Sequence, residues 1–307
     1  VIIDEKEIQA MVRLLDDTDS EVVRMIEERL LLLGEDVLPY LEGHWESEYS
    51  LAHQERLEHI IHKIHLASVG DALRGWLKAG YQDLFEGICI LAKYRYPSLD
   101  VQHLSNSIEE IRLSAWLEMH YDLTPLEKIR ILNHIFYNVY RFEGAAADYY
   151  SPDNSYINKV LERRKGNPVS LAVIYIIVAQ RLGIPVFGVN FPRQFILAYV
   201  WDEKIRSTGL EERNRLLSAG EIKKVVFYIH PFHKGLVFTR QNIDEFVRQL
   251  HLQPEDHFYT PCNNVEILKR MLRNLINSYA KDSDAEKVHD LEELLGILER
   301  NAGIADA

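Results

Sequence analysis

The sequence predicts an α+β fold that is mainly helical and carries one small antiparallel sheet. Three observations predict it. Apolar residues recur at helical spacing from Ile8 to about Tyr140, and again from Ile267 to Leu298. A nearly continuous apolar stretch, residues 169–182, is bracketed by Asn167-Pro168 on one side and Gly183-Ile184-Pro185 on the other, the punctuation of a buried helix. Four β-rich runs follow it, at residues 186–191, 195–201, 225–229 and 236–239. A helix leading into successive strands with long connections points to α+β.

Taken in order, residues 1–66 form a helical region. Ile8, Met11, Val12 and Leu15 mark a first helix, and a polar turn at 16–19 follows. Thr18 and Glu21 have the spacing of a capping box, in which each side chain satisfies an orphan amide at the helix start. Val22, Val23, Ile26, Leu30 and Leu33 mark the second helix, which stops near Gly34. Residues 4–43 resemble one HEAT-type repeat, although a plain helical hairpin describes them equally well. Residues 67–260 form the core and its helical lead-in, with breaks at Gly70, Gly80, Pro97 and Pro125. Thr124-Pro125 starts a helix carrying Ile129, Leu132, Ile135 and Val139. A loop-rich passage with a short helix around 157–163 leads to Asn167, a good N-cap, and Pro168 at the first helical position. The charged stretch 202–224 is a surface insertion with a short helix. Residues 261–307 form a helical hairpin with stripes at Ile267, Met271, Leu275 and Tyr279 and at Val288, Leu291, Leu295 and Leu298. It looks like one degenerate tetratricopeptide repeat. A single repeat is too small to stand alone and is expected to dock on the core.

Composition limits the partners. With 47 acidic against 35 basic side chains the formal net charge is -12, which argues against nucleic acid and against anionic membrane surfaces. No apolar run approaches the ~20 residues of a membrane helix. Cys89 and Cys262, far apart in sequence, make no disulfide framework, so a cytoplasmic setting is expected. His59, His62 and His65 recur at i, i+3 and i+6 on a helix, which reads as a solvated face rather than a metal site. No metal and no cofactor are expected. The basic run Arg163-Arg164-Lys165 either braces the core or is a surface charge run.

The stretch YYSPDNSYINKVLERRKGNPVSLAVIYIIVAQRLGIPVFGVNFP, followed by IHPFHKG, resembles the SirB-related branch of the transglutaminase-like superfamily over roughly residues 85–300. The resemblance implies a papain-type core followed by tetratricopeptide-type helices. Catalytic members of the superfamily carry Cys at the start of the central helix, His on a following strand and Asp on the next. The thiolate attacks, the His moves the proton, and the Asp fixes the imidazole. Carried over by motif, those positions fall on Ser170, Gln194 and His230, and the Gly preceding the His falls on Arg193. Gln194 cannot act as a general base, because its amide does not titrate near neutral pH. Ser170 is expected as the third helical residue, with an unpaired amide that would serve as an oxyanion donor.

The resemblance therefore implies a transglutaminase-like protein that is not an enzyme. It would act as a binding or scaffold module for a protein or peptide. Its degenerate cleft would hold Ser170, Gln194 and His230 as a polar network, with Asn167, Arg193 and His233 as further binding residues. The alternative is a Ser-dependent hydrolase or acyl transferase using Ser170 with His230 or His233.

Overall fold

Polar side chains that satisfy the free amides of a helix start set most element boundaries in this chain. The computed structural model describes residues 5–47, 50–80, 83–201, 210–222 and 224–301. It divides into two units, Val1–Arg74 and Gly75–Ala307.

In the first unit, α1 (Glu5–Leu14), α2 (Ser20–Leu33), α3 (Leu38–Ser47) and the first part of α4 (Leu51–Lys78) enclose Ile8, Leu15, Leu30, Leu41, Leu57 and Ile60. Helix α2 is capped one residue later than its sequence suggests. The carboxylate of Asp19, not the Thr18 hydroxyl, accepts from the Glu21 amide at 2.8 Å. An ionised cap also interacts favourably with the positive end of the helix. His53 is buried and its Nδ1 donates to Asp16 at 2.6 Å.

The second unit carries the rest of the helices and both sheets. It opens with α5 (Leu84–Lys93), α6 (Val101–Glu118) and α7 (Pro125–Asn133), the last started by a complete capping box between Thr124 and Glu127. α7 widens into a π-helical turn over His134–Val139. The passage that reads as loop in the sequence holds a short parallel pair, β1 (Glu143–Gly144) with β2 (Lys165–Gly166), flanking α8 (Ile157–Arg163). Two-residue strands carry no periodicity, which is why nothing in the sequence marks them.

The central helix, α9 (Pro168–Arg181), is buried on every side from Pro168 to Ala179 and ends before Gly183, whose φ of 71° suits glycine. β3 (Val186–Val189), β4 (Ile196–Val200), β5 (Val225–His230) and β6 (Leu236–Phe238) then form an antiparallel meander in sequence order. α10 (Leu210–Ser218) lies in the charged insertion, of which residues 202–209 and 223 lie outside the described residues. α11 (Arg240–Gln249) follows β6. The chain ends in the antiparallel pair α12 (Asn264–Lys281) and α13 (Ala285–Asn301). That hairpin is tied to the core by two buried bonds. The Tyr94 hydroxyl donates to Asp290 at 2.8 Å, and the hydroxyls of Tyr156 and Tyr279 meet at 3.1 Å.

Strand alternation sorts the sheet's side chains between two faces. Phe187, Val189, Ile196, Ala198 and Tyr228 pack with Ile243 and Val247 of α11 and with Leu216 and Leu217 of α10. α9 contributes no residue to this cluster and packs against the sheet from the other face. Among the described residues, no helix is long and apolar enough to cross a membrane.

Candidate functional site

The start of α9 is a closed hydrogen-bonded knot. Asn167 caps the helix, its Oδ1 accepting from the amides of Val169 at 3.1 Å and Ser170 at 3.0 Å. Its Nδ2 donates to the Ser155 hydroxyl at 2.8 Å, and its own amide donates to the Asn154 carbonyl. The Ser170 hydroxyl donates to the carbonyl of Asn154 at 2.6 Å, with the Asn167 carbonyl 3.1 Å away. Ser170 is only 2% exposed. Two expectations from the sequence are thereby corrected. The Ser170 amide is not an unpaired oxyanion donor, because the cap residue takes it. The Ser170 hydroxyl also joins no network with Gln194 and His230, because its bonds go to the chain that precedes the helix. The strict local need of a helix start for acceptors explains both.

The basic run before the helix is a brace. Arg163 pairs with Asp148, Lys165 bonds Glu143 at 2.9 Å, and the Arg164 guanidinium lies over the rings of Tyr140 and Phe142 at 5.4 and 5.0 Å.

Gln194 and His230 do come together. Gln194 Oε1 accepts from His230 Nε2 at 2.9 Å. Since Nε2 carries the proton, Nδ1 is a bare lone pair, and it is buried without a hydrogen-bond partner. Burial, with the His233 imidazole close by, holds His230 down at about 4, so it is uncharged near pH 7. The His233 ring packs edge-on against it with centroids 4.2 Å apart. Arg193 sits at the exposed tip of the preceding turn, with a positive φ of 60°.

The turn after β5 is clamped from below. The Tyr137 hydroxyl donates to the Pro231 carbonyl at 2.9 Å, and Asn133 Nδ2 donates to the Gly235 carbonyl at 2.8 Å. Asn133 is itself held by the Tyr175 hydroxyl at 2.8 Å.

Gln194, His230 and His233 border a cleft of about 480 Å³. Its other walls are mostly apolar: Phe191 just after β3, Ile196 of β4, Leu236, Val237 and Phe238 of β6, and Ile243 and Phe246 of α11, with the Asn242 amide beside them. Alternation explains the placement. His230 follows Tyr228 by two residues and so shares the face of β5 that packs toward α11. Of the residues read from the sequence, Gln194, His230 and His233 share one cleft, while Ser170 and Asn167 belong to the knot at the start of α9. The α11 wall is the part that sequence reasoning missed. Its signal is a capping pair, Thr239 with Asn242, followed by Ile243, Phe246 and Val247 at helical spacing.

Chemically, the cleft lining contains no hydroxyl, thiol, amine or carboxylate side chain. It can bind and hydrogen-bond, and the imidazoles of His230 and His233 are the reactive side chains it presents. Among the described residues, no group of three or more His, Cys, Asp or Glu side chains is placed to hold a metal ion.

A transglutaminase-like superfamily model matches residues 102–273, more than half of the chain. A UPF0162 protein of Xylella fastidiosa is 34% identical over 209 residues, covering 62% of this chain and 63% of that protein. A UPF0162 protein of Pasteurella multocida is 40% identical over 200 residues, 55% of this chain and 76% of that protein. The human F-box only protein 21 is 30% identical over 184 residues, 60% of this chain but 25% of that protein. The chain thus spans less than two thirds of the Xylella relative and a quarter of the human one. No solved structure matches it. The matched region takes in the capped central helix, the meander and the cleft together, and the chain belongs to the transglutaminase-like superfamily.

Proposed function

We propose that this chain is a non-catalytic transglutaminase-like protein that binds a protein or peptide partner in the cleft between its sheet and α11. One observation carries the reading. The hydroxyl at position 170 is bonded to the main chain of residue 154 and is not part of the lining of the cleft that holds Gln194 and His230. A Ser needs a base in hydrogen-bond reach to attack, and here the imidazole and the hydroxyl have different partners. No observation favours the alternative of a Ser170 hydrolase or acyl transferase working with His230 or His233. The acidic balance of the chain supports a protein rather than a nucleic acid as partner. Two free thiols, Cys89 and Cys262, support a cytosolic setting.

The test has two arms. Activated esters and glutamine acyl donors should turn over at the buffer rate with wild type and with Ser170→Ala alike. Turnover that disappears in Ser170→Ala would overturn the reading. Amide NMR spectra titrated with a protein or peptide ligand should shift first at Gln194, Phe238 and Phe246, and shifts confined to other surfaces would count against the cleft.

A further inference from the structure

We infer that the partner enters as an extended, uncharged, apolar peptide strand added to the open edge of β6. This rests on the binding-module reading above and specifies the chemistry of the partner. Three successive residues, Leu236, Val237 and Phe238, border the cleft. Side chains of a strand alternate between faces, so the three cannot all point into one cleft. Leu236 and Phe238 stand beside their cross-strand partners His230 and Tyr228 on the α11 face, while Val237 pairs with Ile229 on the other. Val237 therefore borders the cleft with its main chain.

β6 is the last strand of the sheet, and among the described residues the outward amide and carbonyl groups of Leu236–Phe238 have no main-chain partner. The opposite edge is closed, since the Cys262 amide donates to the Gly188 carbonyl of β3 at 2.8 Å. Edge strands are ordinarily blunted by shortness, charge, proline or a covering segment, and of these β6 has shortness alone within its three residues. This one consists of Leu, Val and Phe, with Leu236 60% exposed. What complements a row of outward main-chain groups is another extended main chain. What complements the trough beside it, walled by Ile243 and Phe246, is every second side chain of that strand. An edge strand flanked by a helix divides the labour in this way, with main-chain bonds supplying affinity and the trough supplying selectivity. The lining carries no carboxylate, ammonium or guanidinium, and a charge entering it would be desolvated without a partner, so the inserted side chains are apolar.

The experiment selects peptides on the whole chain from a random display library, then remakes the best of them with an N-methyl group at one amide at a time. N-methylation keeps the side chains and removes a single donor, and no folding question arises because the protein is untouched. Affinity should fall about tenfold or more at every second amide and little at those between. Leu236→Asp, a substitution on the exposed rim, should weaken the same peptides. A uniform or absent N-methyl effect on peptides that still require Leu236 overturns strand addition and leaves the binding cleft standing. Peptides indifferent to Leu236→Asp, or no selected peptide at all, overturn both readings. A concentration-dependent dimer in sedimentation that Leu236→Asp dissociates would assign the edge to a second copy of the chain and overturn the peptide.

Discussion

Replacing Ser170 with Ala separates a structural hydroxyl from a catalytic one, and the structure sets the size of the effect. The Ser170 hydroxyl reaches two carbonyls, yet neither is orphaned by its loss. Asn154 still accepts from the Asn167 amide at 3.1 Å, and Asn167 still accepts from the Leu171 amide at 3.1 Å. The cost is therefore that of one net hydrogen bond, about 1 kcal/mol. Asn167→Ala is different in kind. It strips the cap acceptor from two amides and the partner from the buried Ser155 hydroxyl. Losing an N-cap costs about 0.5–2 kcal/mol and the extra buried bond about 1 more, so a loss of about 1.5–3 kcal/mol is expected. Hydrogen exchange of the α9 amides, read by mass spectrometry, measures these locally and does not require both units to unfold together. Exchange should accelerate about fivefold in Ser170→Ala and roughly 13- to 150-fold in Asn167→Ala. Unchanged exchange in Ser170→Ala, together with loss of a chemical activity, would refute the argument.

Three further outcomes follow from the same geometry. The folded chain holds His230 at about 4 against an ordinary 6.5, so between those values the unfolded chain carries a proton that the folded chain does not. Stability should fall as pH drops from about 6.5 to about 4, by on the order of 3 kcal/mol, and His230→Leu should flatten that slope in urea titrations at several pH values. Gly235→Ala should destabilise by roughly 2–4 kcal/mol, because the residue has φ of 71° and its new methyl would sit 2.1 Å from Asn133 Oδ1; an unchanged melting temperature would contradict this. Burial pushes both the Cys89 and Cys262 thiols up to about 12, so neither should be alkylated by iodoacetamide at pH 8 until the chain is unfolded, as mass spectrometry would show.

The parts of the fold that were legible in the sequence are those with strong local punctuation. Asn167-Pro168, Thr124-Pro125 and Gly183 each mark a helix end where the structure has one, because capping is decided within a few residues. The meander was legible because β-rich runs of four to six residues repeat without an intervening long helix. What the sequence hid depends on which face a side chain takes. The superfamily resemblance assigns Ser170 and His230 to one site, yet the Ser170 hydroxyl is bonded to the main chain of residue 154 and only His230 lines the cleft. That separation follows from strand register and from the carbonyl at residue 154, neither of which is written near Ser170. The α11 wall was hidden for a simpler reason. A lone amphipathic helix looks the same whether it covers a core or borders a cleft.

Placing a thiol at position 170 tests whether the architecture around it would support a reactive cysteine. Ser170→Cys places sulfur where a methyl on Gly166 would already meet the hydroxyl at 2.5 Å and Val160 at 3.0 Å. The longer C–S bond enlarges a side chain that has no spare room, and a thiol is a weaker donor to the Asn154 carbonyl than a hydroxyl. Burial also favours the neutral thiol, since the helix start that would lower its pKa has its amides taken by Asn167. The substitution should therefore destabilise α9, by about 1–3 kcal/mol of overpacking, and leave a thiol that iodoacetamide does not reach at pH 8. Rapid alkylation of Cys at this position in the folded chain would mean that the side chain can turn toward solvent and that a thiolate is still stabilised there. Slow alkylation, with wild-type peptide binding retained, would mean that the knot around Ser170 is part of the fold and that Gln194 and His230 serve the cleft beside α11 without it.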